Sequence, residues 1–162
     1  MKVKRIYILA GPIQSGKTTK LVQWSAVRKD VFGILTPIQN GKRVFMNAST
    51  KEQFQMEAEA DEENVFEVGR FVFSKKAFEK ANGILEKASK EKDSWIIVDE
   101  IGPVELKGEG FHEMIKEILS SKSGLSILFV VRQGILDEVM QHFGVDSTEV
   151  TIIDVSSDFF QQ

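Results

Sequence analysis

The chain of 162 residues contains no cysteine. That removes disulfides, thiolate metal sites and a cysteine nucleophile together, and it suits a reducing, cytoplasmic setting. Histidine is nearly absent too. His112 and His142 are the only two, far apart and without ligand-like spacing, so a zinc site is not expected. Both read as surface residues of helices. No apolar run has the length of a membrane helix; the best, residues 127–131, is far too short, and no membrane partner is expected. The basic start (Lys2, Lys4, Arg5) and the apolar residues 6–10 outline a signal peptide. The apolar part is too short for one and runs into a glycine loop, so it reads as a buried strand. Net charge is −3, so no positive field points to a nucleic acid partner. Repeats, low-complexity stretches and linkers are also lacking, which leaves one domain spanning residues 1–162.

What is present is ordinary globular material: 42% hydrophobic and 28% charged residues, enough to bury a core without staples. Apolar, β-branched runs at 6–10, 31–36, 95–98, 127–131 and 150–155 read as strands. They are continuous rather than alternating, as in a parallel sheet covered on both faces. Helical patterns at 17–28, 75–90, 110–121 and 135–143 lie between them. Strand–helix alternation of this kind predicts an α/β fold with an open, mostly parallel sheet and right-handed crossovers. Residues 38–73 break the alternation. The Asn40-Gly41 turn signal and short strand patterns at 43–46, 54–57, 65–68 and 71–73 predict a β-rich insertion packed on the main sheet. The acidic run 57–63 reads as a solvated loop within it.

Chemistry enters with Gly11-Pro12-Ile13-Gln14-Ser15-Gly16-Lys17-Thr18, which fits G-x-x-x-x-G-K-[ST], the P-loop or Walker A pattern. Consecutive backbone N–H groups must turn inward around phosphate oxygens, and glycine permits that backbone. The following helix, opening through Thr19, points its N-terminal N–H groups and dipole at the same anion. Lys17 is placed to reach the β- and γ-phosphates and Thr18 to ligate Mg²⁺. The motif directly follows one predicted strand and opens a predicted helix, which is its confirming context.

The second half is Trp95-Ile-Ile-Val-Asp99-Glu100, an apolar strand ending in acid, as in Walker B. The strand delivers Asp99 to the carboxyl edge of the sheet as a metal ligand. Glu100 beside it can orient or deprotonate an attacking water, the use made of such a residue in the extra-strand division of P-loop ATPases. Its alternative is a cap or ion pair for the next loop. Asp99-Glu-Ile-Gly102 also fits the D-x-x-G of GTPase switches, but no guanine-reading Asn-Lys-x-Asp follows. Charge on a transferring phosphoryl group is commonly met by arginine. Arg132, just after the strand pattern at 127–131, is the catalytic candidate, with Arg43 and Arg70 as alternatives. Arg28 reads as a structural complement to a helix dipole. Phe32, Phe45, Phe71, Phe73, Phe78 and Phe129 read as core rather than as a platform for a base.

Together, residues 11–19, Gly33-Ile-Leu-Thr-Pro37, Gly41-Lys-Arg43, Val68-Gly-Arg-Phe71 and above all Val98-Asp-Glu-Ile-Gly-Pro-Val-Glu-Leu106 resemble the thermophile-type, or cancer-related, nucleoside triphosphatases. The resemblance implies a single-domain P-loop protein with a RecA-like core. It implies slow, Mg²⁺-dependent hydrolysis of ATP, GTP and other nucleoside triphosphates to diphosphates, with little base preference. By position, residues 11–18 would bind phosphate, Asp99 the metal and Glu100 the water, while Glu105 belongs to the motif with two tasks open to it, orienting the loop or orienting the Lys17 side chain. The chain departs from the family pattern at Gln14, at Val44-Phe45 and at Phe71. Two other readings stay open: a P-loop kinase of a small acceptor, and a nucleotide-dependent regulatory module.

Overall fold

The computed structural model describes residues 4–122 and 124–161, so Lys2 of the basic start lies outside the described residues. Its main sheet runs in the order β10-β1-β9-β8-β2-β4-β3. Five strands are parallel: β1 (Arg5–Gly11), β2 (Val31–Leu35), β8 (Trp95–Ile101), β9 (Ser126–Arg132) and β10 (Val150–Ile153). These are the five apolar runs of the sequence. The inner strands β2, β8 and β9 read as continuous because both faces of the sheet are covered there, whereas the edge strand β10 leaves Thr151 and Ile152 exposed. Ile96 and Val98 of β8 face one core with Ile8 and Ile127, while Trp95 and Ile97 face the other with Leu9 and Leu128.

Helices α2 (Lys75–Ala88), α4 (His112–Ser120) and α5 (Leu136–His142) supply the first core through Phe78, Leu85, Ile115 and Val139. Helix α2 starts where Ser74 Oγ accepts the Ala77 N–H at 3.2 Å, an N-cap. It buries Ala77, Phe78, Ala81, Leu85 and Ala88, one stripe at helical spacing. The opposite face is covered by α1 (Lys17–Ala26) and the closing 3₁₀ turn Asp158–Gln161. There Trp24 lies 5.3 Å edge-on from Trp95, and Phe159 packs against both, with Tyr7 5.0 Å from Phe159.

The irregular middle is β-rich, as its pattern predicts. Strand β4 (Lys42–Asn47) adds antiparallel to β2, and β3 (Ile38–Gln39) and β5 (Gln53–Gln55) both pair with it. Asn40 and Gly41 both have positive φ, the backbone a two-residue hairpin requires. Strands β6 (Val65–Val68) and β7 (Phe71–Ser74) form a separate hairpin. Most of the acidic run is exposed; Glu57, however, accepts the Arg43 N–H at 3.1 Å.

Four expectations need amendment. Helix α1 ends at Ala26, and Arg28 lies beyond it, gripping Asp30 through two hydrogen bonds and covering the Trp24 ring at 4.6 Å. Its role is structural, through Asp30 and the Trp24 ring rather than from within the helix. Phe71 is not core; it is 36% exposed at the hairpin turn. The histidines, distant in sequence, meet: His112 Nε2 and His142 Nε2 are 3.0 Å apart, joining the start of α4 to the end of α5. The His112 side chain is largely covered rather than a surface group, at 15% exposure.

Candidate active site at the carboxyl edge of the sheet

The strand order brings the two sequence motifs together. Strand β9 lies between β1 and β8, with Gly11 opposite Arg132 and Asp99 opposite Val130. All these positions fall at the carboxyl ends of parallel strands, where open α/β sheets gather their ligands. The phosphate-loop candidates Gly11 to Thr19 occupy the turn from β1 into α1. Gly16 sits in the left-handed region at φ 85° as the N-cap of α1, and a Cβ there would meet open space. The constraint at Gly16 is therefore backbone conformation rather than crowding. Gln14, where a glycine is common, also has positive φ, at 61°. Pro12, Ile13 and Gln14 are exposed.

Lys17 is 6% exposed, and its Nζ donates to the carbonyls of Gly11 at 2.7 Å and Pro12 at 3.2 Å. The ammonium thus lies folded against the loop it belongs to. Thr18 Oγ1 donates to Asp99 Oδ2 at 2.8 Å, a side-chain contact between the two motifs across 81 positions. The same oxygen accepts the Thr36 N–H at 3.1 Å. Asp99 is 1% exposed, and its other oxygen, Oδ1, is buried without a partner among the described residues. Ser15 Oγ and Thr36 Oγ1 are in the same condition. Native proteins rarely leave buried polar atoms unpaired, so a cluster of them marks a place built for a polar ligand. Hard oxygen donors, a carboxylate and a hydroxyl, suit Mg²⁺. Thr18 and Asp99 therefore fit the metal expected of them.

Burial raises the Asp99 carboxyl to about 6, helped by the neighbouring Glu100 charge and opposed by the Thr18 and Thr36 hydrogen bonds and by Arg43. Glu100 is half-buried. It stands in a register shift of β8 against β9, with Asp99 opposite Val130 and Ile101 opposite Val131, so it has no backbone register partner on β9. Such an extra residue re-aims the side chains around it. Arg132 Nη2 is 3.7 Å from Glu100 Oε1.

Arg43 joins Arg132, Asp99, Glu100 and Glu105 around a cavity of about 100 Å³ whose apolar wall includes Phe71, Phe73 and Phe111. Arg70 stands outside it, exposed, with its guanidinium 5.1 Å over Phe71. One contributor escaped the sequence reading and one was named in it only through the family motif. Thr36 acts through its backbone N–H, which no side-chain pattern reveals. Glu105 is buried, and burial lifts its carboxyl to about 7 against the pull of the Gly102 and Phe111 N–H groups. Only the family motif signalled it.

A family model described as NTPase matches residues 6–158. No curated protein matches the chain. Among solved structures, the crystal structure of THEP1 from the hyperthermophile Aquifex aeolicus is similar at TM-score 0.70 and 19% identity, covering 96% of this chain and 91% of that one. The solution structure of a human cancer-related nucleoside triphosphatase is similar at TM-score 0.68 and 20% identity, covering 98% and 93%. At such identities these likenesses speak for the fold, a P-loop α/β sheet with helices on both faces. The match over nearly the whole chain, with both motifs at one sheet edge, makes this protein a member of the NTPase family, the thermophile-type nucleoside triphosphatases.

Proposed function

We propose that this single-domain protein hydrolyses nucleoside triphosphates to diphosphate and phosphate, with Mg²⁺ and little base preference. The observation that carries the reading is the Thr18–Asp99 hydrogen bond, which joins the phosphate loop to a buried carboxylate with an orphaned oxygen beside Glu100. Lys17 and the loop amides would hold the β- and γ-phosphates. Thr18 and Asp99 would hold Mg²⁺, which supplies positive charge to the phosphate oxygens and the leaving group. Glu100 would orient a water and take its proton as the water oxygen bonds to the γ-phosphorus and the bond from that phosphorus to the bridging oxygen breaks. Arg132, 3.7 Å from Glu100, would meet charge developing on the γ-phosphoryl group. Every residue given a task acts on phosphate, metal or water, which supports breadth toward bases.

A second reading has one observation in its favour: the cavity beside Glu100 is lined by Phe71, Phe73 and Phe111, more apolar surface than a water needs. A small acceptor there would make the protein a kinase. Phosphate release from ATP, GTP, CTP and UTP with Mg²⁺, in wild type and Lys17→Ala, separates the two. Release from all four, lost in the variant, is the expected result. Nucleotide binding without release would sink hydrolysis and favour the kinase or a regulatory module.

A further inference from the structure

Glu105 is a buried acid in the active-site cavity to which the hydrolytic scheme gives no task. It lies in α3 (Pro103–Leu106), a helix of four residues, and is 3% exposed. Its two oxygens serve two separate backbone groups. Oε1 accepts the Gly102 N–H at 2.8 Å, and Oε2 accepts the Phe111 N–H at 3.0 Å. One carboxyl group thus fastens both ends of the loop between β8 and α4.

The two ends differ in kind. Phe111 is anchored: it is 1% exposed, and its ring packs 5.1 Å from Phe78 of α2 and 5.8 Å from Phe45 of β4. Gly102 lies two residues beyond Glu100, after Ile101, which is fully buried and paired with Val131; past Ile101 the chain leaves the register with β9, and Gly102 is where the loop begins. Glu100 itself has no partner in the backbone register with β9, and its side-chain contact there is the loose 3.7 Å ion pair with Arg132. Its aim depends on the chain to either side. Asp99, before it, is held by Thr18 and Thr36. Gly102, after it, is held by Glu105. The loop also makes room for this arrangement. Gly110 has φ 62°, and a Cβ there would stand 2.2 Å from Glu105 Oε2 and 2.8 Å from Val104. Any side chain at 110 would push the carboxyl off the Phe111 N–H.

We propose that Glu105 is a positioning residue that sets the aim of Glu100 by tying Gly102 to the core-anchored Phe111, with Gly110 the glycine that admits it. This rests on the hydrolytic role given to Glu100 above. Glutamine at 105 has a single acceptor oxygen, so one of the two N–H groups would face an amide NH₂ instead. A misplacement on the order of 1 Å at a reacting group is enough to lose about a hundredfold in rate.

The test compares wild type, Glu105→Gln, Gly110→Ala and Glu100→Gln by kcat, by the dissociation constant of a fluorescent ATP analogue, by thermal midpoint, and by amide hydrogen exchange at Gly102 and Phe111. Glu105→Gln and Gly110→Ala should lose on the order of a hundredfold in kcat. Analogue binding should stay within about twofold, because residues 11–18 are untouched. Exchange at Gly102 or Phe111 should quicken while that of Ile96 and Ile97 in β8 does not. Gly110→Ala carries the test if Glu105→Gln fails to fold. Wild-type kcat in a folded variant, or unchanged exchange at both amides, overturns the proposal. Its failure is distinguishable from failure of the hydrolytic reading: Glu100→Gln inactive beside fully active Glu105→Gln sinks this inference alone, whereas Glu100→Gln at wild-type rate sinks the role of Glu100 itself.

Discussion

Arg132 and Glu100 face each other from adjacent strands, Nη2 to Oε1 3.7 Å, at the carboxyl edge of the sheet. The spacing is that of a loose ion pair, leaving the guanidinium free to serve a phosphoryl oxygen as well. Arg132→Ala is expected to lower kcat about a hundredfold, the scale of one lost donor to a developing charge. Arg70→Ala should stay within about twofold, because Arg70 is exposed and stacks on Phe71 outside the cavity. Steady-state kinetics of the two variants decide; equal losses would remove the special position given to Arg132.

Glu100→Gln should bind nucleotide as wild type does and lose on the order of 10²–10⁴ in turnover, the range for a positioned general base. Single-turnover phosphate release beside a binding titration measures both. Retained turnover would return Glu100 to its alternative, a cap or ion pair for the following loop.

The orphaned Asp99 Oδ1 and the Thr18 hydroxyl predict a metal requirement. Thr18→Ala and Asp99→Asn should each shift the Mg²⁺ concentration for half-maximal activity upward by about tenfold or more, as loss of a ligand or its partner does. Titrating the ion at saturating nucleotide tests this, and an unmoved midpoint in both variants would refute the assignment.

Glu105 makes stability depend on pH. Burial lifts its carboxyl to about 7, above the ordinary value, so the native state keeps a proton that the unfolded chain releases. The contribution is fully present below the ordinary glutamate range and is lost as pH rises through about 7. Thermal midpoints between about pH 5 and pH 8 should therefore fall more steeply in wild type than in Glu105→Gln, which has no carboxyl at 105 to titrate. Parallel curves would contradict the prediction.

Much of this was legible from residue order. The inner parallel strands β2, β8 and β9 are apolar runs because both of their faces are covered, while the edge strand β10 leaves Thr151 and Ile152 exposed, and the phosphate loop announces itself through glycines that only its backbone needs. Asp99 and Glu100 could be read because an apolar strand ending in acid delivers its last residues to the sheet edge. Elements shorter than their own period could not be read: β3 has two residues and α3 has four, too few for any alternation or helical stripe to show. Contacts made by the folded chain alone were equally hidden. The Thr36 N–H on Asp99, the meeting of His112 with His142 and the two ends of the Glu105 clamp depend on tertiary approach. Phe71 looked like core because it falls in a short strand pattern, yet its place beside the hairpin turn leaves it partly in solvent.

The aromatic packing behind α1 has a spectroscopic consequence. Both tryptophans of the chain, Trp24 and Trp95, and its single tyrosine, Tyr7, belong to that one cluster with Phe159. Trp24 rides on the helix that rises from the phosphate loop. Intrinsic emission therefore reports strain passed down α1 and the docking of the C-terminal turn, while the β6–β7 hairpin and the Phe111 side of the sheet stay dark. A tryptophan introduced at Phe71 would light the second face, and the two signals together would separate events at the phosphate loop from events in the cavity opposite.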